Sequence, residues 1–160
     1  MFKRIFCYVI CTLLLVNFVS TEVCASEPES RSEVVELEMT AQAYTNNLGI
    51  SVYATSFTNL DITISYSSAG MTIVIDTSVS GKASVIGVKD VEVQMKNGNN
   101  WITVATSSGT EVYNASACVG TCVYPGAIEG ETYRVTCVHY ANVEGYREVY
   151  HESLGFKCIY

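Results

Sequence analysis

Basic residues are scarce in this chain, and their scarcity removes whole classes of function. Lysine and arginine together number 9, against 16 aspartates and glutamates, and the formal net charge is −7. Affinity for nucleic acid depends on Lys and Arg neutralising phosphates, so a duplex would repel this chain. An anionic membrane surface is disfavoured for the same reason. We therefore expect no nucleic-acid partner and no attachment to a membrane surface.

The sequence also lacks the short motifs of common catalytic and cofactor sites. It has no Gly-x-Ser-x-Gly nucleophile elbow, no phosphate-binding loop, no dinucleotide fingerprint and no twelve-residue calcium loop. The only histidines are His139 and His151. If the last hairpin turns over residues 141–145, His139 lies opposite Arg147, and His151 lies too far along its strand to share a metal ion. We therefore predict no catalytic residue, no metal and no cofactor.

Long apolar runs are absent except at the N-terminus. Lys3 and Arg4 precede an almost unbroken apolar run over residues 5–19, and the small side chains of residues 23–25 end the segment. This order is typical of a secretory signal peptide. The run has about fifteen residues, fewer than the roughly 20 that a membrane-spanning helix needs. We therefore predict a signal peptide over residues 1–25 and a secreted, extracellular or cell-envelope location.

The remaining chain divides at about residue 59. Residues 26–58 begin with a run of glutamates and few cations, which predicts an acidic N-terminal arm with a short edge strand over residues 50–53. From there on, apolar and polar residues alternate, as they do in strands with one buried side and one solvated side. Gly and Asn clusters, as at residues 97–100, are typical of hairpin turns. We predict that residues 59–160 form an all-β, antiparallel sandwich of about seven strands.

One segment resembles a known fold family. Tyr124-Pro125-Gly126 makes a corner, and a Tyr-x-Val pattern follows it at Tyr133 and Val135. This segment resembles the tyrosine-corner region of fibronectin type III and other immunoglobulin-like sandwiches. The resemblance implies that the Tyr133 hydroxyl bonds to upstream backbone and ties the corner.

A looser resemblance covers most of the mature chain. It rests on Ala-Gly-Met-Thr-Ile at 69–73, Val-Ser-Gly at 79–81, Asn-Trp at 100–101 and Glu-Thr-Tyr-Arg-Val at 131–135. In these segments the chain is similar to small uncharacterised secreted proteins of Gram-positive bacteria. That resemblance implies a sandwich fold and no assigned activity.

Four cysteines remain after the predicted signal peptide, at Cys118, Cys122, Cys137 and Cys158. An even number in a secreted domain indicates two disulfides with three alternative connectivities. On an extended strand Cys118 and Cys122 would lie about 13 Å apart, whereas a disulfide needs Cα atoms within about 7 Å. Folding the chain at residues 125–131 favours Cys118–Cys137 and Cys122–Cys158. A zinc site is the alternative, but only Cys118 and Cys122 have the spacing of a ligand pair.

Tyrosines are concentrated in the C-terminal half, and Tyr140, Tyr146 and Tyr150 fall in its final hairpin. A tyrosine ring packs against apolar surface while its hydroxyl stays available, so these three are candidate ligand-contact residues. They could stack on sugar rings or contact a partner protein. Ordinary cross-strand packing is the alternative.

The function expected from these features is that of a secreted, non-catalytic binding or cell-envelope interaction module. We expect a monomer whose partner is another protein or a cell-wall glycan. One alternative is a carbohydrate-binding module that uses the C-terminal tyrosines. Another is a small extracellular hydrolase, which would need a cleft where two titratable groups converge.

Overall fold

The computed structural model describes residues 33–45 and 57–159. The predicted signal peptide, the start of the acidic arm and the predicted edge strand over residues 50–53 lie outside these ranges. All regular secondary structure in the described residues is strand. A helix that is long and apolar enough to cross a membrane is therefore not found among them. The strands are β1 (Val35–Glu36), β2 (Thr40–Tyr44), β3 (Phe57–Ser67), β4 (Gly70–Asn97), β5 (Asn100–Tyr124), β6 (Thr132–Asn142), β7 (Tyr146–Glu152) and β8 (Phe156–Lys157).

The eight strands belong to one mixed sheet. Its main path runs β1-β5-β4-β6-β7, while β2 pairs with β5, β3 with β4 and β8 with β6. Only β1 is parallel to its neighbour, and every other pairing is antiparallel. The all-β prediction is therefore confirmed, whereas an immunoglobulin-like sandwich of about seven strands stays a prediction.

The long hairpin formed by β4 and β5 bends sharply near its middle. At the bend, residues 79–82 of β4 have no partner on β5, so four residues lie opposite the single residue Ser116 in a bulge. Gly81, within the bulge, has a φ of 100°, which glycine adopts without strain. Thr77 Oγ1 donates a 3.3 Å hydrogen bond to the Gly87 carbonyl, although the two residues are ten apart. A straight strand would hold them roughly 33 Å apart, so β4 must double back.

The fold-over divides the sheet into two halves. The first half-sheet consists of β2, β3, residues 70–79 of β4 and residues 117–124 of β5. The second half-sheet consists of β1, residues 83–97 of β4, residues 100–115 of β5, and β6, β7 and β8.

Both half-sheets contribute to one apolar core. Its fully buried members include Met71, Ile73 and Ile75 from the first half-sheet and Val88, Val91, Val93, Tyr133 and Val135 from the second. Burying one such side chain contributes about 1.5–3 kcal/mol. Apolar and polar residues thus alternate along β4 and β6 for the reason that the sequence suggested. The apolar side chains are buried in the core, and most of the side chains between them are not.

Part of the predicted acidic arm is held on the sheet. Leu37 is 7% exposed and joins the core, and its N–H donates a 2.7 Å hydrogen bond to the Thr106 carbonyl. The β1 and β2 strands on either side of Leu37 pair with β5. Residues 33–45 are therefore part of the domain, because Leu37 buries its side chain and β5 offers its edge.

The corner before β6 is tied to the core by Tyr133. The Tyr133 side chain is fully buried, and its hydroxyl accepts a 2.9 Å hydrogen bond from the N–H of Ile128, five residues upstream. The ring also lies edge-on to Tyr124, with 6.2 Å between centroids. This is an upstream backbone contact of the kind that the resemblance implies for Tyr133.

Candidate functional site on the outer face of the second half-sheet

Four strands place tyrosines and charged residues on the outer face of the second half-sheet. Glu111 of β5 pairs with Gly87 of β4. Gly87 pairs in turn with Tyr140 of β6, and Tyr140 pairs with Glu148 of β7. Directly opposed residues of paired strands share one face of a sheet. We call this cluster the tyrosine face, and its members are Lys89, Glu111, Tyr113, Tyr140, Tyr146, Glu148 and Tyr150.

Gly87 keeps the centre of this row open. A Cβ atom at this position would lie 2.3 Å from the Thr110 carbonyl oxygen, so only glycine fits. Across the gap the Tyr140 hydroxyl reaches Glu111 and donates a hydrogen bond to its carboxylate. Tyr140 is only 8% exposed as a result. It therefore forms part of the floor of the tyrosine face, as in the cross-strand packing that the sequence offered as the alternative to ligand contact.

Lys89 links the two tyrosines of the final hairpin. Its Nζ lies 5.9 Å from the ring centroid of Tyr140 and 5.8 Å from that of Tyr146. The two rings are 5.8 Å apart and inclined at 35°. Lys89 also forms an ion pair with Glu148, which accepts a 2.6 Å hydrogen bond from the Tyr146 hydroxyl. These contacts fix the orientation of the Tyr146 ring at the surface.

Hydrogen bonds lower the pKa of both carboxylates of the tyrosine face, which are ionised at neutral pH. Tyr113, and then Tyr140, lower the pKa of Glu111 by donating to it. Lys89, and then Tyr146, lower the pKa of Glu148 in the same way. An ionised carboxylate offers about four lone-pair positions, so each one retains acceptor capacity for a ligand.

Three rings of the tyrosine face are open to solvent. Tyr113 is 65% exposed, Tyr146 is 53% exposed and Tyr150 is 62% exposed. Tyr146 and Tyr150 lie on the same side of β7, about 13 Å apart along the strand. The Tyr150 hydroxyl donates a 3.3 Å hydrogen bond to Glu152. Of the three predicted ligand-contact residues, Tyr146 and Tyr150 are thus accessible and Tyr140 supports them.

Sequence reasoning did not find the other members of the tyrosine face. Glu148 could have been found from the sequence, because it lies two residues from both Tyr146 and Tyr150 and therefore on the same side of their strand. The members on β4 and β5, Lys89 and Glu111 among them, join the face only through strand register. Their register relative to the tyrosines of β6 and β7 comes from the pairing of β4 with β6, two segments far apart in the sequence, and no short motif predicts it.

The two histidines meet, contrary to the expectation from the sequence. His139 pairs with Val149 rather than Arg147, and His151 pairs with Cys137. This register places His139 Nε2 only 3.1 Å from His151 Nδ1. Burial, and then the charge of His151, lower the pKa of His139 to about 4. His139 is therefore neutral at pH 7.

All four cysteines of the predicted mature chain are buried thiols. Cys122, Cys137 and Cys158 lie in the main core, whereas Cys118 lies in a smaller apolar cluster. Burial raises the pKa of Cys118 and Cys122 to about 11 and that of Cys137 to about 12. No disulfide is formed among the residues described, and the Cys118–Cys137 and Cys122–Cys158 pairings stay predictions.

No protein-family model matches this chain, and no curated protein matches it. The resemblance to secreted immunoglobulin-like proteins therefore stays a prediction.

Proposed function

We propose that this chain is a secreted, non-catalytic binding module whose tyrosine face binds a neutral glycan of the cell envelope. The observation that carries the proposal is the exposure of Tyr113, Tyr146 and Tyr150 on one face of the second half-sheet, beside two ionised carboxylates. A sugar ring has an apolar C–H face, which packs against a tyrosine ring, and a rim of hydroxyls, which donate to carboxylates. The tyrosine face offers both kinds of contact.

Charge favours a neutral glycan over an acidic polymer. The full chain carries a net charge of −7, and the predicted loss of Lys3, Arg4 and Glu22 with the signal peptide makes it one unit more negative. On the tyrosine face, Lys89 is already paired with Glu148. A phosphate-rich or uronic-acid polymer would therefore meet like charge without a free cation to bind it.

The bonding of the carboxylates favours binding over hydrolysis. Glu111 and Glu148 are separated by three strand spacings, which places their backbones about 14 Å apart. Because Glu111 is held by tyrosine hydroxyls and Glu148 by Lys89, both are better suited to accept hydroxyl protons than to act as acid and nucleophile.

An immunoglobulin-like sandwich is the fold that we propose for this module. Two half-sheets around one core and the buried Tyr133 at the corner before β6 support it. Export rests on the predicted signal peptide over residues 1–25. A single domain with its binding residues on one outer face requires no second copy, so we propose that the module acts as a monomer.

Retention on immobilised neutral cell-wall polysaccharide tests the proposal. We expect the mature protein to be retained and Tyr146→Ala and Tyr150→Ala each to lose at least about tenfold in affinity, since each removes a stacking ring. Tyr44→Ala is the matched control, because Tyr44 is 48% exposed but lies on β2 of the first half-sheet. Equal retention of all four proteins would contradict the proposal.

A further inference from the structure

Three potential metal-donor atoms lie close together on the inner face of the second half-sheet. His139 Nε2 is 3.1 Å from His151 Nδ1 and 3.5 Å from Cys137 Sγ. Cys137 and His151 are direct cross-strand partners, so their side chains emerge side by side. The glycan-binding proposal uses none of these residues.

The protonation state of His139 follows from its other neighbour. Thr77 Oγ1 lies 2.7 Å from His139 Nδ1, and Thr77 donates its single hydroxyl proton to the Gly87 carbonyl. With the hydroxyl proton used in this way, Nδ1 is assigned as the protonated nitrogen and donates to Thr77. In that tautomer the Nε2 lone pair faces Cys137 and His151. Metal-binding histidines are commonly held in this way, with the distal N–H tied to an oxygen acceptor.

The donor separations match the edges of a tetrahedral zinc site. With Zn–N distances of about 2.0–2.1 Å and Zn–S distances of about 2.3 Å, tetrahedral geometry puts two nitrogens about 3.3 Å apart and a nitrogen and a sulfur about 3.5 Å apart. The corresponding separations here are 3.1 Å between the histidine nitrogens and 3.5 Å between His139 Nε2 and Cys137 Sγ.

The three donors do not yet close on a common point. With the side chains as they lie, no group of three or more His, Cys, Asp or Glu residues within residues 33–45 and 57–159 could hold a metal ion, these three donors included. Binding here would therefore need the Cys137 or His151 side chain to change rotamer. The two residues are adjacent on paired strands, and His139 is held by Thr77.

A cleft reaches one of these donors, His151, whereas Cys137 and His139 are fully buried behind it. His151 is half-buried and lines a cleft of about 410 Å³ between β3 and the chain that follows β7. Three protein ligands leave the fourth zinc position open. Water in the cleft would fill that position.

We propose that Cys137, His139 and His151 bind one zinc ion, with Thr77 as a positioning residue for His139. On binding, the Cys137 thiol releases its proton to solvent and the thiolate sulfur bonds to zinc, while both histidines bind as neutral ligands. The site takes the place of the predicted Cys118–Cys137 disulfide, since one sulfur cannot serve both. It is independent of the glycan proposal, because its residues lie on the opposite face of the half-sheet.

Zinc titration of the chelator-treated, thiol-reduced protein tests the site. We expect one zinc per chain, and a cobalt-substituted form with a thiolate-to-cobalt absorption band. His151→Ala and Cys137→Ala should each weaken zinc binding at least about 100-fold, and Thr77→Val about 10–100-fold. Cys122→Ala, which removes a buried thiol of the first half-sheet, should leave zinc binding unchanged.

Three results would overturn the proposal. They are the absence of zinc binding by the reduced wild-type protein, zinc affinity unchanged in both His151→Ala and Cys137→Ala, and a Cys118–Cys137 disulfide in the native secreted protein by peptide mapping. Because His151 is half-buried at the mouth of the cleft, His151→Ala should fold, and thermal unfolding of the metal-free variant checks this.

Discussion

The outer faces of the two half-sheets follow the same alternation but carry different side chains. On the first half-sheet, the outward residues of β3 and β4 include short polar side chains at Thr63, Ser65, Thr72, Asp76 and Ser78. On the second half-sheet, they are long aromatic and charged side chains. Thr63 and Ser78 bond within their own strands, whereas Lys89 and Tyr140 bond across strands. The alternation of apolar and polar residues therefore shows which face of each half-sheet is solvated. The length of the polar side chains shows on which solvated face they can form contacts across strands.

Truncating a side chain on the inner face should lower the free energy of unfolding much more than truncating one on the outer face. Ile75 is fully buried, so Ile75→Ala should lower the free energy of unfolding by about 2–5 kcal/mol. Thr63→Ala, on the outer face of the same half-sheet, should change it by no more than about 0.5 kcal/mol. Urea unfolding measures both. Similar losses in the two variants would mean that the half-sheets do not enclose a common core.

Acid should destabilise the protein through His139. Its pKa is about 4 in the folded chain and 6.5 in its ordinary state, so the unfolded chain binds more protons between these values. Stability should therefore fall as the pH drops from about 6.5 to about 4, by about 3 kcal/mol. His139→Gln should remove this dependence in the metal-free protein. Denaturant titrations across this range measure it, and a flat profile for the wild type would contradict the burial of His139.

Removing one hydroxyl should weaken the cross-strand bonding of the tyrosine face. Tyr140→Phe loses the hydrogen bond to Glu111 and should cost about 1 kcal/mol of unfolding free energy. The pKa of Glu111 should rise toward its usual range, because Tyr140 is one of the two donors that lower it. Carboxyl NMR titration and urea unfolding check both effects. Tyr44→Phe, on the first half-sheet, should leave the Glu111 titration unchanged.

A small stabilisation is expected from the first half-sheet. Asp61 and Asp76 are direct cross-strand partners, and like charges in that position repel. Asp76→Asn should therefore raise the free energy of unfolding by about 0.2–1 kcal/mol at low salt, less at high salt. Asp90→Asn serves as the control because Asp90 has no carboxylate partner across the ladder. Destabilisation by Asp76→Asn at both salt concentrations would show that the repulsion is not the controlling effect.

Local patterns predicted the strand content but not the path of the sheet. Alternation through Met71, Ile73 and Ile75 gave the buried side of β4, and the turn at residues 97–100 is where the sequence suggested it. The fold-over at residues 79–82 was not foreseeable, because one glycine does not distinguish a bend from an ordinary bulge.

Only part of the candidate site could be predicted, because local patterns do not give the pairing between distant strands. Tyr146 and Tyr150 could be named from one strand, but Glu111 and Lys89 reach them through pairing between distant segments. The histidine pair was missed by a two-residue error in register, since His139 lies opposite Val149 instead of Arg147. Leu37 was missed because a single apolar residue among glutamates carries no periodic signal.

The most direct measurement is an NMR titration of the labelled mature protein with a soluble neutral cell-wall oligosaccharide. The proposed function predicts that resonances of Tyr113, Tyr146 and Tyr150 shift on binding, while those of Tyr44 and the outer face of the first half-sheet stay in place. Shifts confined to the first half-sheet, or no shifts with any neutral oligosaccharide, would contradict the assignment of the tyrosine face as the binding surface.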